Sequence, residues 1–191
     1  CPKPEVIRER VNERTFSLDA GGFWQVHPSA AVTLDDAVRR ALDGLVALKA
    51  THIDLYGGVG LFAATLADLG ARSIVTVESN KRATAHAHRN LAPRKVTAVT
   101  ARVDRYLAQL PDDTRAGTVV LDPPRSGAGR SVVESVHRLR PEAVVYVACD
   151  PVALARDLNT FRNLGWQVPA LEAFDLFPHT HHFEVVALLT R

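Results

Sequence analysis

The sequence predicts a doubly wound α/β fold, with a mostly parallel, seven-stranded sheet, helices on both faces and an antiparallel C-terminal hairpin. Three observations carry that reading. Apolar, β-branched runs recur along the chain, and segments of helical periodicity separate them. The run Val144-Val145-Tyr146-Val147-Ala148 is apolar throughout, as a strand covered on both faces must be. After Trp166 two more strand-like runs follow, within Trp166–Leu176 and Phe183–Thr190, with no helical pattern between them.

In chain order, residues 1–15 are polar and charged and read as a lead-in or linker, with Phe16-Ser17-Leu18 as a short strand. A glycine turn, Gly21-Gly22, leads into Phe23-Trp24-Gln25-Val26. From Ser29 the spacing of Leu34, Ala37, Val38, Ala41, Leu42, Leu45 and Val46 marks one buried helical face. The first core strand, His52–Tyr56, runs into Gly57-Gly58-Val59-Gly60 and a helix over Leu61–Leu69. Ser73–Val77 is the second strand, ending at Glu78 and followed by a helix to about Leu91. Val96–Thr100 is the third, with Asp104 opening a short helix. Thr118–Leu121 is the fourth and ends at Asp122-Pro123-Pro124-Arg125; Ala143–Ala148 is the fifth. Asp150 then reads as an N-cap and Pro151 as the first helical residue, so Cys149 sits at a strand-to-helix junction with almost no loop.

Composition narrows the class. With 191 residues, 47% of them hydrophobic, the chain has the length for one domain with a full core. No apolar run reaches transmembrane length and no signal-peptide h-region opens the chain, so no membrane partner is expected. The absence of methionine and the opening on Cys1 hint at a longer parent chain. Two cysteines, Cys1 and Cys149, make no disulfide framework and fit a reducing, cytoplasmic setting. A net charge of +2 does not by itself argue for nucleic acid, and the excess of arginine over lysine suits phosphate contacts but also follows from genome composition.

In an open parallel sheet, ligands lie outside the carboxyl ends of the strands. The glycine loop, Glu78, Asp122 and Cys149 all fall on that rim. If the last strand runs antiparallel, Glu184 near its start joins them, 35 residues beyond the cysteine. A thiol at a helix N-terminus is favoured as thiolate, although a lone cysteine is more often a small buried hydrophobe. The loop lacks the third glycine of the dinucleotide fingerprint, and an acid such as Glu78 suits the ribose of several adenosine cofactors. His179, His181 and His182 have strand-like spacing and no nearby cysteine, so no metal is expected.

Together these motifs resemble the catalytic domain of the RNA uracil-5 methyltransferases. The resemblance spans Phe16–Leu189 and rests on Phe23-Trp24-Gln25-Val26, Asp54-Leu55-Tyr56-Gly57-Gly58-Val59-Gly60, Val77-Glu78, Leu121-Asp122-Pro123-Pro124-Arg125, Tyr146-Val147-Ala148-Cys149-Asp150-Pro151 and Asp175-Leu176-Phe177-Pro178-His179-Thr180 with Glu184. It implies a Rossmann-like class I methyltransferase domain over residues 16–191. S-adenosylmethionine would be held by Gln25, Tyr56, Gly58, Glu78 and Asp122, with Asp104 near the adenine. Cys149 would be the nucleophile, Glu184 the general base, and transfer or ribosomal RNA the substrate. Trp24, Phe177, Arg125 and the segment His179–His182 would face a base swung out of its stack. Two positions depart from the family: Gly57, where a cysteine is frequent, and Asp150, which replaces the usual asparagine. A carboxylate at 150 should oppose thiolate formation, less so if the helix amides absorb its charge. A methyltransferase acting on an amine or a protein, and a non-catalytic RNA- or cofactor-binding module, are the rival readings.

Overall fold

The computed structural model describes residues 4–179 and 183–191. The chain opens on a two-stranded antiparallel hairpin, β1 (Val6–Val11) and β2 (Arg14–Asp19), followed by helix α1 (Ala30–Ala41). Strand and helix then alternate: β3 (Thr51–Leu55), α2 (Leu61–Asp68), β4 (Ser73–Glu78), α3 (Lys81–Asn90), β5 (Val96–Thr100), α4 (Val103–Gln109), β6 (Thr118–Leu121), α5 (Arg130–Arg138), β7 (Ala143–Ala148) and α6 (Pro151–Asn163). The antiparallel pair β8 (Gln167–Phe174) and β9 (Glu184–Thr190) closes the chain.

The seven strands β3–β9 form one sheet in the order β5-β4-β3-β6-β7-β9-β8. Pairing is parallel from β5 to β7; β9 inserts antiparallel between β7 and β8. The chain winds outward from β3 through β4 to β5, then returns and winds the other way from β6. The switch point therefore lies between the carboxyl ends of β3 and β6, where such sheets bind ligands.

The period-two geometry of the strands divides the core into two layers. Val120, Val145, Val147 and Val186 pack with α1 and α2 on one face; Val119, Leu121, Val144, Tyr146 and Ala187 pack beneath α4, α5 and α6 on the other. Every residue of β7 is buried, which accounts for its unbroken apolar run. At about 1.5–3 kcal/mol for each large apolar side chain removed from water, this double layer holds the rim rigid.

Two stretches differ from the sequence-based expectation. Residues 6–15 are not a linker: they supply β1 and the start of β2, turning at Asn12 with φ of 52°. Three charged residues in a row, Arg8-Glu9-Arg10, put a charge on both faces of β1 and hide its period-two pattern. Between Arg125 and Ala143, where the sequence suggests no named element, α5 presents Val132, Val133 and Val136 to the core. Among the described residues no helix is long and apolar enough to cross a membrane.

Candidate active site

The glycine loop follows β3 directly. Tyr56 takes φ of 64°, unusual for a residue with a side chain, and its burial pushes the phenol up to about 12. A Cβ on Gly57 would collide with Thr76 Oγ1 and lie 2.6 Å from Asp54 Oδ2, so internal packing alone demands glycine there and the family's frequent cysteine has no room. Gly58 is different: at φ of +53° it opens onto free space along the cavity wall, where a ligand can approach the backbone. Beneath the loop, Asp54 is wholly buried. Its Oδ2 accepts from Thr76 Oγ1 at 2.9 Å and Ala63 N at 3.2 Å, while Oδ1 has no partner; burial above all raises this carboxyl to about 7.

Glu78 closes β4 and ties the loop to α3. Its Oε1 accepts from Asn80 N at 2.7 Å and Ser79 Oγ at 3.1 Å, and its Oε2 from Gly58 N at 3.2 Å. Protein donors thus fill three of roughly four acceptor positions, leaving one for a ligand hydroxyl. Asp104, in the first turn of α4, is gripped by Arg102 at 2.9 and 3.1 Å and accepts from Arg105 N at 2.9 Å; the Arg102 hydrogen bonds hold its carboxyl below the usual range. Gln25 reaches across from the other side, its Nε2 donating to Asp122 Oδ2 at 3.4 Å.

The thiol and the distant carboxylate meet because of register. Ala148 of β7 pairs with Val185 of β9, so Cys149 and Glu184 stand opposite each other one step past the last ladder pair. Cys149 is half-buried. Contrary to the expectation of a helix-stabilised thiolate, its pKa is raised, first by desolvation and then by Glu184 and Asp122; Arg125 opposes the rise. Asp150 supplies a reason: its carboxylate caps α6 by accepting from Ala153 N at 2.7 Å, so the helix terminus serves Asp150 before the thiol. Glu184 is lifted to about 7 by burial, against the pull of Arg125. Asp122 rises to about 8, through burial and then the charges of Glu184 and Asp54, with Gln25 opposing.

One cavity of about 920 Å³, near the upper end of the usual range for ligand sites, joins all eight residues singled out from the sequence: Gln25, Tyr56, Gly58, Glu78, Asp104, Asp122, Cys149 and Glu184. Trp24, Phe177 and Arg125 line it too, and Phe177 meets His27 edge-on with ring centroids 5.7 Å apart. Thr180, His181, His182 and Cys1 lie outside the described residues. Among the described residues no group of three or more His, Cys, Asp or Glu side chains could hold a metal ion. The donor set suits a cationic, ribose-bearing ligand, because raised carboxyls await a positive partner at the switch point while Glu78 keeps an acceptor position for a hydroxyl.

Sequence reasoning passed over two groups. Asp19 ends β2 at the cavity wall, where it pairs with Arg82, accepts from His86 Nε2 at 2.8 Å, and has its carboxyl held low first by Arg82. Asp157 lies buried inside α6. Its signal was present, since an acid interrupts the apolar spacing of Ala153, Leu154, Leu158 and Phe161.

The sheet order, the reversed last strands and an acid-lined pocket at the switch point define a Rossmann-like methyltransferase domain. Residues 102–191 match the family model described as tRNA (Uracil-5-)-methyltransferase. The chain is 48% identical over 187 residues to an "Uncharacterized RNA methyltransferase" of Streptomyces avermitilis, covering 96% of this chain and 42% of that protein. A similarly described protein of Bifidobacterium longum is 40% identical, with 95% and 44% covered. Among solved structures, the Pyrococcus abyssi tRNA (uracil-54, C5)-methyltransferase, in complex with S-adenosyl-L-homocysteine, superposes with a TM-score of 0.81 at 30% identity, covering 99% of this chain and 45% of that one. Residues 102–191 thus carry the match to the tRNA (uracil-5-)-methyltransferase family model, and the chain is similar over nearly its whole length to RNA methyltransferases. It spans less than half the length of these relatives.

Proposed function

We propose that this domain transfers a methyl group to carbon 5 of a uridine in transfer or ribosomal RNA through a covalent cysteine–uracil adduct. The supporting observation is the meeting of Cys149 and Glu184 across the β7–β9 register, inside the cavity that also holds Asp122. S-adenosylmethionine, when bound, supplies an electrophilic sulfonium methyl group. Gln25, Tyr56, Gly58, Glu78, Asp104 and Asp122 would hold it, Gly58 by close backbone approach and Glu78 through a ribose hydroxyl.

Carbon 5 of uracil is a weak nucleophile, and Cys149 remedies this. Its deprotonated sulfur bonds to carbon 6, and the C5=C6 electron pair moves onto the carbonyl at carbon 4 as an enolate. The enolate makes carbon 5 reactive towards the methyl group. Glu184 then takes the proton from carbon 5; that electron pair re-forms the C5=C6 bond, and the bond from sulfur to carbon 6 breaks. A carboxylate lifted to about 7 is matched to this task near neutral pH. Phe23, exposed, and Trp24 both line the cavity and would offer aromatic surface to a base leaving its stack.

The test is covalent trapping. Denaturant-resistant adducts should form with 5-fluorouridine RNA, which has no carbon-5 proton to surrender. Cys149→Ala should lose adduct and turnover yet keep donor binding in calorimetry, whereas Glu184→Gln should accumulate adduct with ordinary RNA. Full turnover by Cys149→Ser would instead point to a methyltransferase that uses no covalent step.

A further inference from the structure

Asp157 is wholly buried on α6 and does not line the cavity, yet it ties the loop at Ser126–Ala128, which does, to β7 just before the cavity-lining Cys149. Its Oδ2 accepts from Tyr146 Oη at 2.7 Å, Ala128 N at 2.8 Å and Gly129 N at 3.1 Å. Ala128 N also lies 3.0 Å from Tyr146 Oη. Its Oδ1 accepts from Arg156 Nε at 3.3 Å, and Arg156 Nη2 donates to Ser126 O at 2.6 Å. Tyr146 stands three residues before Cys149 on β7, α6 starts just after it, and Ser126, Ala128 and Gly129 continue the loop that begins at Asp122.

Packing around this carboxylate is tight. Gly127 has φ of +79°, and a Cβ there would lie 2.6 Å from both Asp157 Oδ2 and Arg156 Nη2. An acid in the buried stripe of a helix carries a desolvation cost that leucine would avoid, so its hydrogen bonds must hold a geometry that apolar packing would not. The two consecutive amides of residues 128 and 129 aimed at one oxygen form an anion-binding nest.

We propose that Asp157 is a positioning residue, fixing the loop that carries Arg125 against the strand and helix that carry Cys149. Asp122 is held independently by the sheet, since its N–H donates to Leu55 O at 3.3 Å. Among the described residues Arg125, three residues further along, has no such backbone hydrogen bond and depends on the turn behind it. Arg125 is the cation that opposes the upward shifts of both Cys149 and Glu184, so loosening the turn should leave the thiol with its acidic neighbours alone. The proposal rests on the uridine-methylation reading for its catalytic consequence, but not for its effect on the thiol.

The test uses the full chain carrying Cys1→Ser, with Asp157→Ala, Asp157→Asn and Gly127→Ala added singly. Alkylation of Cys149 by iodoacetamide, followed across pH by peptide mass, reads the thiol without RNA. In Asp157→Ala and Gly127→Ala the midpoint should move up by about half a pH unit or more. Asp157→Asn keeps an acceptor oxygen for the three donors and should restore the parent midpoint. In RNA methylation, the first two variants should lose about 100-fold in kcat with little change in the donor KM. An unmoved midpoint in Gly127→Ala, or in Asp157→Ala where it folds, overturns the proposal. Failure of the parent chain to methylate RNA or form adducts would sink the uridine reading alone, leaving the alkylation profiles to decide the role of Asp157.

Discussion

Release of the adduct offers the sharpest test of the proposed chemistry, because one carboxylate controls it. Glu184 titrates near 7 rather than at 4.5. With that midpoint the base is about one-tenth ionised at pH 6 and about nine-tenths at pH 8, so elimination should speed up about tenfold between them. A carboxylate at its ordinary value would be fully ionised over the whole interval, and the rate would be flat. The direction is fixed by the chemistry: only the ionised form can take the carbon-5 proton, so adduct should persist on the acid side. The assay is a pH jump. Adduct is formed at pH 8 in a brief pulse with RNA, diluted to the test pH, quenched in denaturant and counted on gels, which separates release from the thiol's own titration. Arg125 holds Glu184 down, so Arg125→Ala should shift the release midpoint upward. A release rate constant from pH 6 to 8, or a midpoint at or below pH 5, would refute the assignment of Glu184 as the base.

Two further predictions concern the frame beneath the site. Asp54 holds its proton more tightly folded, at about 7, than unfolded, at 3.8, so its contribution to stability is full below about pH 4 and is lost as pH rises through 7. A gap of about three units corresponds to about 4 kcal/mol; Asp54→Asn should flatten the decline of denaturant-derived stability between about pH 4 and 7 by an amount of that order, and an unchanged slope would contradict it. Gly57→Ala should destabilise by about 1–3 kcal/mol, because the added Cβ meets Thr76 and Asp54 rather than open space. The matching change at Gly58 faces nothing within 4 Å, so it should cost backbone strain at φ of +53° and donor affinity rather than packing, a contrast that calorimetry and melting curves measure side by side.

Much of the sheet was legible because burial on both faces leaves a compositional trace. The runs at 96–100, 118–121 and 143–148 coincide with β5, β6 and β7. The reversed last strand followed from the missing helical pattern, and it alone brings Glu184 to the cysteine's rim. In the opening hairpin, Phe16-Ser17-Leu18 marks β2, but β1 left no comparable trace. In Val6-Ile7-Arg8-Glu9-Arg10-Val11 only Val11 is buried, so charges occupy positions that a core strand fills with apolar groups. The hairpin's closing residue, Asp19, is fixed by Arg82 and His86 of α3, partners more than 60 residues away. No local pattern encodes a contact at that distance.

Position and ionisation part company within the site itself. Strand ends place Cys149, Asp122 and Glu184 on one rim, and that much can be read along the chain. Their proton affinities depend on which charges lie across the pocket: Glu184 and Asp54 act on Asp122, both Glu184 and Asp122 act on Cys149, and Arg125 opposes two of the three. The helix terminus that should have favoured a thiolate is instead occupied by Asp150, the N-cap that the Asp-Pro pair marks in the sequence. The resulting pocket raises the pKa of three acidic groups at once. Such a site favours a ligand that brings positive charge, since a nearby cation lowers the affinity of Asp122 and Cys149 for their protons in the same step. Nucleophile activation would then be coupled to occupancy by the methyl donor, and the thiol would stay protonated and protected until the donor is bound.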